Sequence, residues 1–179
     1  MRQLELHKQI EEFFKLGVDS AAADTANRLT ANDDAKRFFF SRADEKWLIW
    51  LWKKGFLEKL KDKAEDTTRY SYRLPELEYL SRMAEKSPQT VAEIIEATDI
   101  SKDNFNPEVV DRFLWIIGLL PSEQVVRLLP KIKKEKWVQL MAPFYGFSYQ
   151  YKTIVEKLEK SEDSESWIKY AEILLFLVS

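Results

Sequence analysis

The sequence predicts an all-α fold, a right-handed superhelical stack of antiparallel helix pairs, and three observations predict it. A helical unit recurs with matching positions 33 or 34 residues apart. Ser87-Pro88 opens one segment and Leu120-Pro121 the next; Val91 then matches Val125, Ile94-Ile95 matches Leu128-Leu129, and one helix earlier Leu80 matches Phe113. A period in this range is what stacked helical hairpins leave in a sequence. Nearly every window also follows the 3.6-residue template, and none sustains a two-residue alternation. Finally, all 6 prolines lie between 75 and 143, mostly at predicted helix starts, where a first-turn proline is welcome.

The elements follow in order. Leu6, Ile10, Phe13 and Phe14 share one face of a helix over 3–16, and Gly17 suits the position after its end. Residues 20–30 carry Ala21, Ala22, Ala23, Ala26 and Leu29, a small-residue helix suited to close packing. Asn32 or Asp33 caps a third helix with Phe38, Phe39 and Phe40, and Asp44 caps a fourth that ends at Gly55. Phe56 to Leu60 starts another short helix. Residues 61–74 lack a sustained apolar period and read as an exposed connection. Beyond it the pattern is regular. Leu77, Leu80, Met83 and Ala84 line one helix; Val91, Ile94, Ile95 and Thr98 the next, capped by Ser87. Asn106-Pro107 opens a helix burying Val110, Phe113, Leu114 and Ile117 and stopped by Gly118. Pro121 opens its partner, with Val125, Leu128 and Leu129 inward and Pro130 near its end. Trp137 to Phe144, Tyr151 to Leu158 and Trp167 to Val178 continue the series, for ten to twelve helices in all. Residues 1–60 thus read as an irregular N-terminal capping region and 75–179 as helical repeats of one continuous domain. The apolar ending Leu-Phe-Leu-Val-Ser suggests a piece of a larger protein.

Composition narrows the chemistry. In 179 residues, 45% are hydrophobic and 32% charged, which fits a folded helical protein and argues against bulk disorder. With 28 basic and 30 acidic residues, the net charge of −2 gives no global pull toward nucleic acid or anionic membrane. The absence of cysteine excludes disulfides, thiolate zinc sites and Cys nucleophiles, and fits a cytoplasmic location. The 4 glycines form no phosphate-binding loop. No secretory leader is visible, and the longest apolar run, Trp47 to Trp52, is far short of the ~20 residues that span a bilayer.

The spacing of paired helices with proline near their starts resembles the HEAT-like repeats of the HEAT/armadillo α-solenoids over about 75–160. The resemblance implies an extended surface that binds rather than catalyses. The tetratricopeptide and ankyrin signatures are not met.

Each candidate for chemistry has a plainer competitor. His7 is the only histidine, so it cannot build a histidine metal cluster; among Glu5, Lys8 and Glu11 it reads as a solvated surface residue. The acidic runs Glu11-Glu12, Asp33-Asp34 and Glu162-Asp163 suit helix starts and polar faces better than a catalytic pocket. The segment Trp47 to Trp52 is apolar all round and reads as a buried central helix, with Trp50 as the alternative anchor for a partner. Arg69, Tyr70, Tyr72 and Arg73 alternate rings and cations; the rings can stack on bases or pack onto the first hairpin. Arg127, Lys131, Lys133, Lys134 and Lys136 form the strongest basic cluster, across an inter-helix turn where cations also complement a helix C-terminus. Asp111 and Trp115 lie four apart; HEAT-like DNA glycosylases use such acidic and aromatic residues in a basic groove, but the plain reading is a surface aspartate beside a packed tryptophan. The expectation is therefore a non-catalytic protein-interaction or scaffolding module of a larger cytoplasmic protein. Its partner would be a protein or another domain of the same polypeptide, with no membrane, metal or cofactor. The alternative is a nucleic-acid-binding module, conceivably a HEAT-like DNA-repair glycosylase.

Overall fold

The computed structural model describes residues 2–57, 60, 74–100, 106–135, 137, 154, 156 and 157. Among these residues the protein is all-α, with no strand. Helix α1 spans Arg2–Leu16, α2 Ala23–Leu29, α3 Asp33–Arg42 and α4 Leu48–Lys53. Then come α5 Pro75–Met83, α6 Pro88–Ala97, α7 Pro107–Leu119 and α8 Ser122–Lys134. Short 3-10 turns at Val18–Ser20 and Glu45–Trp47 precede α2 and α4.

Local chemistry sets most of the boundaries. Gly17 ends α1 with φ +76°, a conformation that costs glycine nothing. The Asn32 side chain accepts from the Ala35 N–H at 2.9 Å and opens α3. Asn106 does the same for α7 through the Glu108 N–H at 3.1 Å. Asp44 caps the 3-10 turn rather than α4 itself, accepting from the Lys46 N–H at 3.0 Å. Proline occupies the first turn of α5, α6 and α7.

Two expectations need correction. Ser87 makes no side-chain cap bond; only its carbonyl receives the Val91 N–H, at 3.0 Å. Gly118 does not stop α7. It lies buried inside the helix, which ends at Leu119 because Leu120 precedes Pro121 and is pushed to an extended ψ of 155°. Pro130 sits within α8, where its missing N–H breaks one rung, yet the helix continues to Lys134. The buried row Val125, Leu128, Leu129 and Ile132 holds it in place.

Helices two apart in chain order pack against each other: α1 on α3, α3 on α5 and α5 on α7, with α4 on α6 and α6 on α8. Side chains fix their relative direction. Between α1 and α3, Gln3 meets Asp34, the His7 ring stacks on Phe38 at 3.9 Å, and Glu11 pairs with Arg42 at 2.6 Å. These three rungs share one offset of 31 residues, so the two helices run parallel and in register. Between α3 and α5, Lys36 meets Glu76 near both starts, and Arg82 donates to the carbonyls of Phe40 (2.5 Å) and Ala43 (3.4 Å) near both ends. Between α6 and α8, Arg127 reaches Glu93 and Glu96, and Glu135 accepts from the Ile100 N–H at 3.2 Å.

The core changes character along the chain. Around α1, α3 and α4 it is aromatic: Phe13, Phe39, Phe40, Trp47 and Trp50 are buried, with ring centroids 5.2–6.1 Å apart. From α6 to α8 it is mainly aliphatic, with Val91, Ile94, Ile95, Val110, Leu114, Ile117, Val125 and Leu128 all at 0–1% exposure.

Candidate interaction surface

The sequence points to two clusters, and the structure treats them differently. Trp50 lies in the core at 8% exposure, its ring 5.5 Å from Trp47, 5.5 Å from Phe56 and 6.1 Å from Phe13. It is therefore a packing residue that offers a partner little surface. Trp47, Leu48 and Leu51 are buried with it, and what α4 presents outward is Ile49, 49% exposed. Arg69, Tyr70, Tyr72 and Arg73 lie outside the described residues.

The basic cluster is largely internally paired. Arg127 grips Glu96 Oε2 through Nε at 3.1 Å and Nη2 at 2.5 Å, with Glu93 3.9 Å from Nη1. Lys131 bonds Glu135 Oε1 at 2.6 Å and lies 5.9 Å from the Trp137 ring centroid; its side chain is only 11% exposed. The other oxygen of Glu135 accepts from the Trp137 indole N–H at 2.9 Å and from the Ile100 N–H. Lys131 thus serves the packing of a turn. Lys134 is exposed, Lys133 is on α8, and Lys136 lies outside the described residues.

Trp115 departs from expectation. The buried face of α7 is filled by Val109, Val110, Phe113, Leu114, Ile116 and Ile117. Position 115 falls opposite them, so Trp115 is 41% exposed, with Leu119 one turn on at 36%. Asp111, one turn earlier, is the half-buried member of the pair. Burial raises its carboxyl above the ordinary range, and Arg112 pulls the other way. Burial also raises Glu108, opposed by a hydrogen bond from the Leu74 backbone and by Arg112. The outward stripe of α7 therefore carries two partly desolvated carboxylates followed by exposed apolar surface. The periodic stripe Val110, Phe113, Leu114 and Ile117 leaves position 115 off the buried face; the packed reading of Trp115 rests on residue type alone.

His7 is not a solvated residue either. It is half-buried against Phe38, and its Nε2 is buried without a hydrogen-bond partner among the described residues. The buried pair Lys36 and Glu76 has no signal in the sequence, since the two lie 40 residues apart on unremarkable polar positions. The same holds for Tyr79, whose hydroxyl donates to the Asp44 carbonyl at 2.8 Å. Burial, reinforced by Asp44, raises its pKa well above that of an ordinary tyrosine.

Among the described residues, no three His, Cys, Asp or Glu side chains converge to hold a metal ion, and no helix is long and apolar enough to cross a membrane. No protein-family model, no curated protein and no solved structure matches this chain.

Proposed function

We propose that the chain is a non-catalytic interaction or scaffolding module of a cytoplasmic protein. In this reading it is a HEAT-like stack of antiparallel helix pairs that holds a protein partner, or another domain of the same polypeptide, against one face. One observation carries it. Among the described residues, the polar side-chain bridges between helices two apart, or the turns that end them, join positions 31 to 42 residues apart in the chain. Ties of this reach are what a quasi-one-dimensional stack would use to hold each unit to the one before it. Such an architecture supplies long surfaces rather than a pocket where remote residues converge. The exposed Trp115 and Leu119 supply apolar anchors of the kind that carry binding energy.

The test is a photoreactive side chain placed at 115, with control sites at Lys134 and Leu4. Trapping of one defined protein from 115, followed by weaker binding of that purified protein to Trp115→Ser, supports the reading. Failure to trap anything from exposed positions on any helix overturns it.

The nucleic-acid alternative needs free cations, and Arg127 and Lys131 are both engaged by carboxylates. Binding of single- or double-stranded oligonucleotides that weakens steeply with salt, and is lost in Lys133→Glu/Lys134→Glu/Lys136→Glu, would replace the protein-interaction reading.

A further inference from the structure

The seam between α3 and α5 is fastened unequally at its two ends. At the C-terminal end, Arg82 donates to two carbonyls of the α3 terminus and Tyr79 donates to the Asp44 carbonyl; the Phe40 and Tyr79 rings lie 5.8 Å apart beneath them. These are several bonds to backbone acceptors, and the loss of any one leaves the others. At the N-terminal end the polar tie among the described residues is the contact between the Lys36 ammonium and Glu76 Oε1. Glu76 is 1% exposed, and among the described residues neither of its oxygens has a hydrogen bond of good geometry. Its position in the first turn of α5 favours the charge, and the Lys36 ammonium is its one counter-charge among the described residues.

We propose that the α3–α5 seam is a hinge of this module, with Arg82 and Tyr79 as its pivot and the buried Lys36–Glu76 pair as its latch. With the ammonium gone, the carboxylate gains by reaching water, and the shortest route is for the first turn of α5 to lift from α3. The last turn stays bound through Arg82. The motion changes the angle between the aromatic half (α1–α4) and the aliphatic half (α5–α8), and so the curvature of any face that spans both. This inference stands apart from the identity of any partner.

Amide hydrogen exchange on the whole chain tests it, read separately at the first turn of α5 (Leu77, Glu78) and at its end (Met83, Ala84). In Lys36→Met, exchange at the first turn should rise about tenfold or more, while the end of α5 and all of α8 keep their protection. In Lys36→Met/Glu76→Leu, which replaces the pair by apolar groups, the first turn should close again. Equal acceleration at both ends of α5, or in α8, would mean that the pair only adds global stability, and would overturn the hinge. So would an unchanged first turn in Lys36→Met, or a double variant as open as the single. If Lys36→Met does not fold, Glu76→Gln is the second probe: it removes the charge at constant volume, and protection at the first turn equal to or above that of the parent chain is expected. A first turn that opens in Glu76→Gln would show that the uncompensated charge is not what drives the motion.

Discussion

The two halves of the molecule solve one packing problem with different materials. In the N-terminal half α1 has 15 residues, α2 7, α3 10 and α4 6, and large rings fill the core: Phe13 touches Phe14, Phe39, Trp47 and Trp50 at centroid distances of 5.2–6.1 Å. In the C-terminal half α7 and α8 are each 13 residues long and bury rows of Val, Ile and Leu. The difference teaches that parallel stacking of helices two apart does not need regular core residues. The α1–α3 rungs keep one offset of 31 residues, although the groups that meet are an amide with an acid, a histidine with a phenylalanine, and an acid with an arginine.

Truncation should break the two halves unequally. Phe39→Ala removes a fully buried ring that contacts Phe13, Phe14, Phe40 and Phe56. The expected loss is about 3–5 kcal/mol, read from urea unfolding. Ile117→Val in the aliphatic half should cost only about 0.5–1.5 kcal/mol in the same experiment. A smaller loss for Phe39→Ala than for Ile117→Val would mean that the aromatic cluster is loosely packed. Arg82→Met, which strips two carbonyls at the boundary between the halves, should cost about 1–2 kcal/mol. Asn32→Ala and Asn106→Ala, one cap in each half, should cost about 1 kcal/mol apiece, and a clear inequality between them would show one half yielding before the other.

Tyr79 sharpens the boundary through pH. Its folded pKa is raised, so the unfolded chain ionises first. The stability it contributes is complete below the ordinary tyrosine value of about 10 and falls as pH rises beyond it. Tyr79→Phe should flatten that alkaline fall while losing about 1 kcal/mol at neutral pH for the bond to Asp44. An alkaline profile identical to that of the parent chain would remove Tyr79 from the cause. The smallest effect belongs to Arg127→Ala, whose partners are largely exposed: about 0–1 kcal/mol, the range of surface ion pairs.

Sequence reading succeeded where one physical signal dominates. The matched pairs Val91 and Val125, Ile94 and Leu128, and Leu80 and Phe113 are all buried, because aliphatic residues at 3.6-residue spacing have no competing reason to be there. Asn32 and Asn106 were legible as caps because their chemistry is local. Trp115 was not, since its exposure depends on which neighbours α7 meets. Glu76 and His7 were not, because a polar residue in a helix looks solvated until another helix, 31 or 40 residues away, closes over it. Trp50 follows the buried reading of its helix rather than the anchor reading; tryptophan serves cores and interfaces alike, and the surrounding rings decide.

The 31-to-42-residue reach of the bridges also bears on the birth of the protein at the ribosome. A helix leaving the exit tunnel finds its partner in the unit made just before it, so its docking does not wait for the far end of the chain. Loop closure costs much the same at each addition, because the closed segment stays about one unit long. Among the described helices, docking can therefore begin during synthesis, as soon as the helix two places earlier in the chain is made.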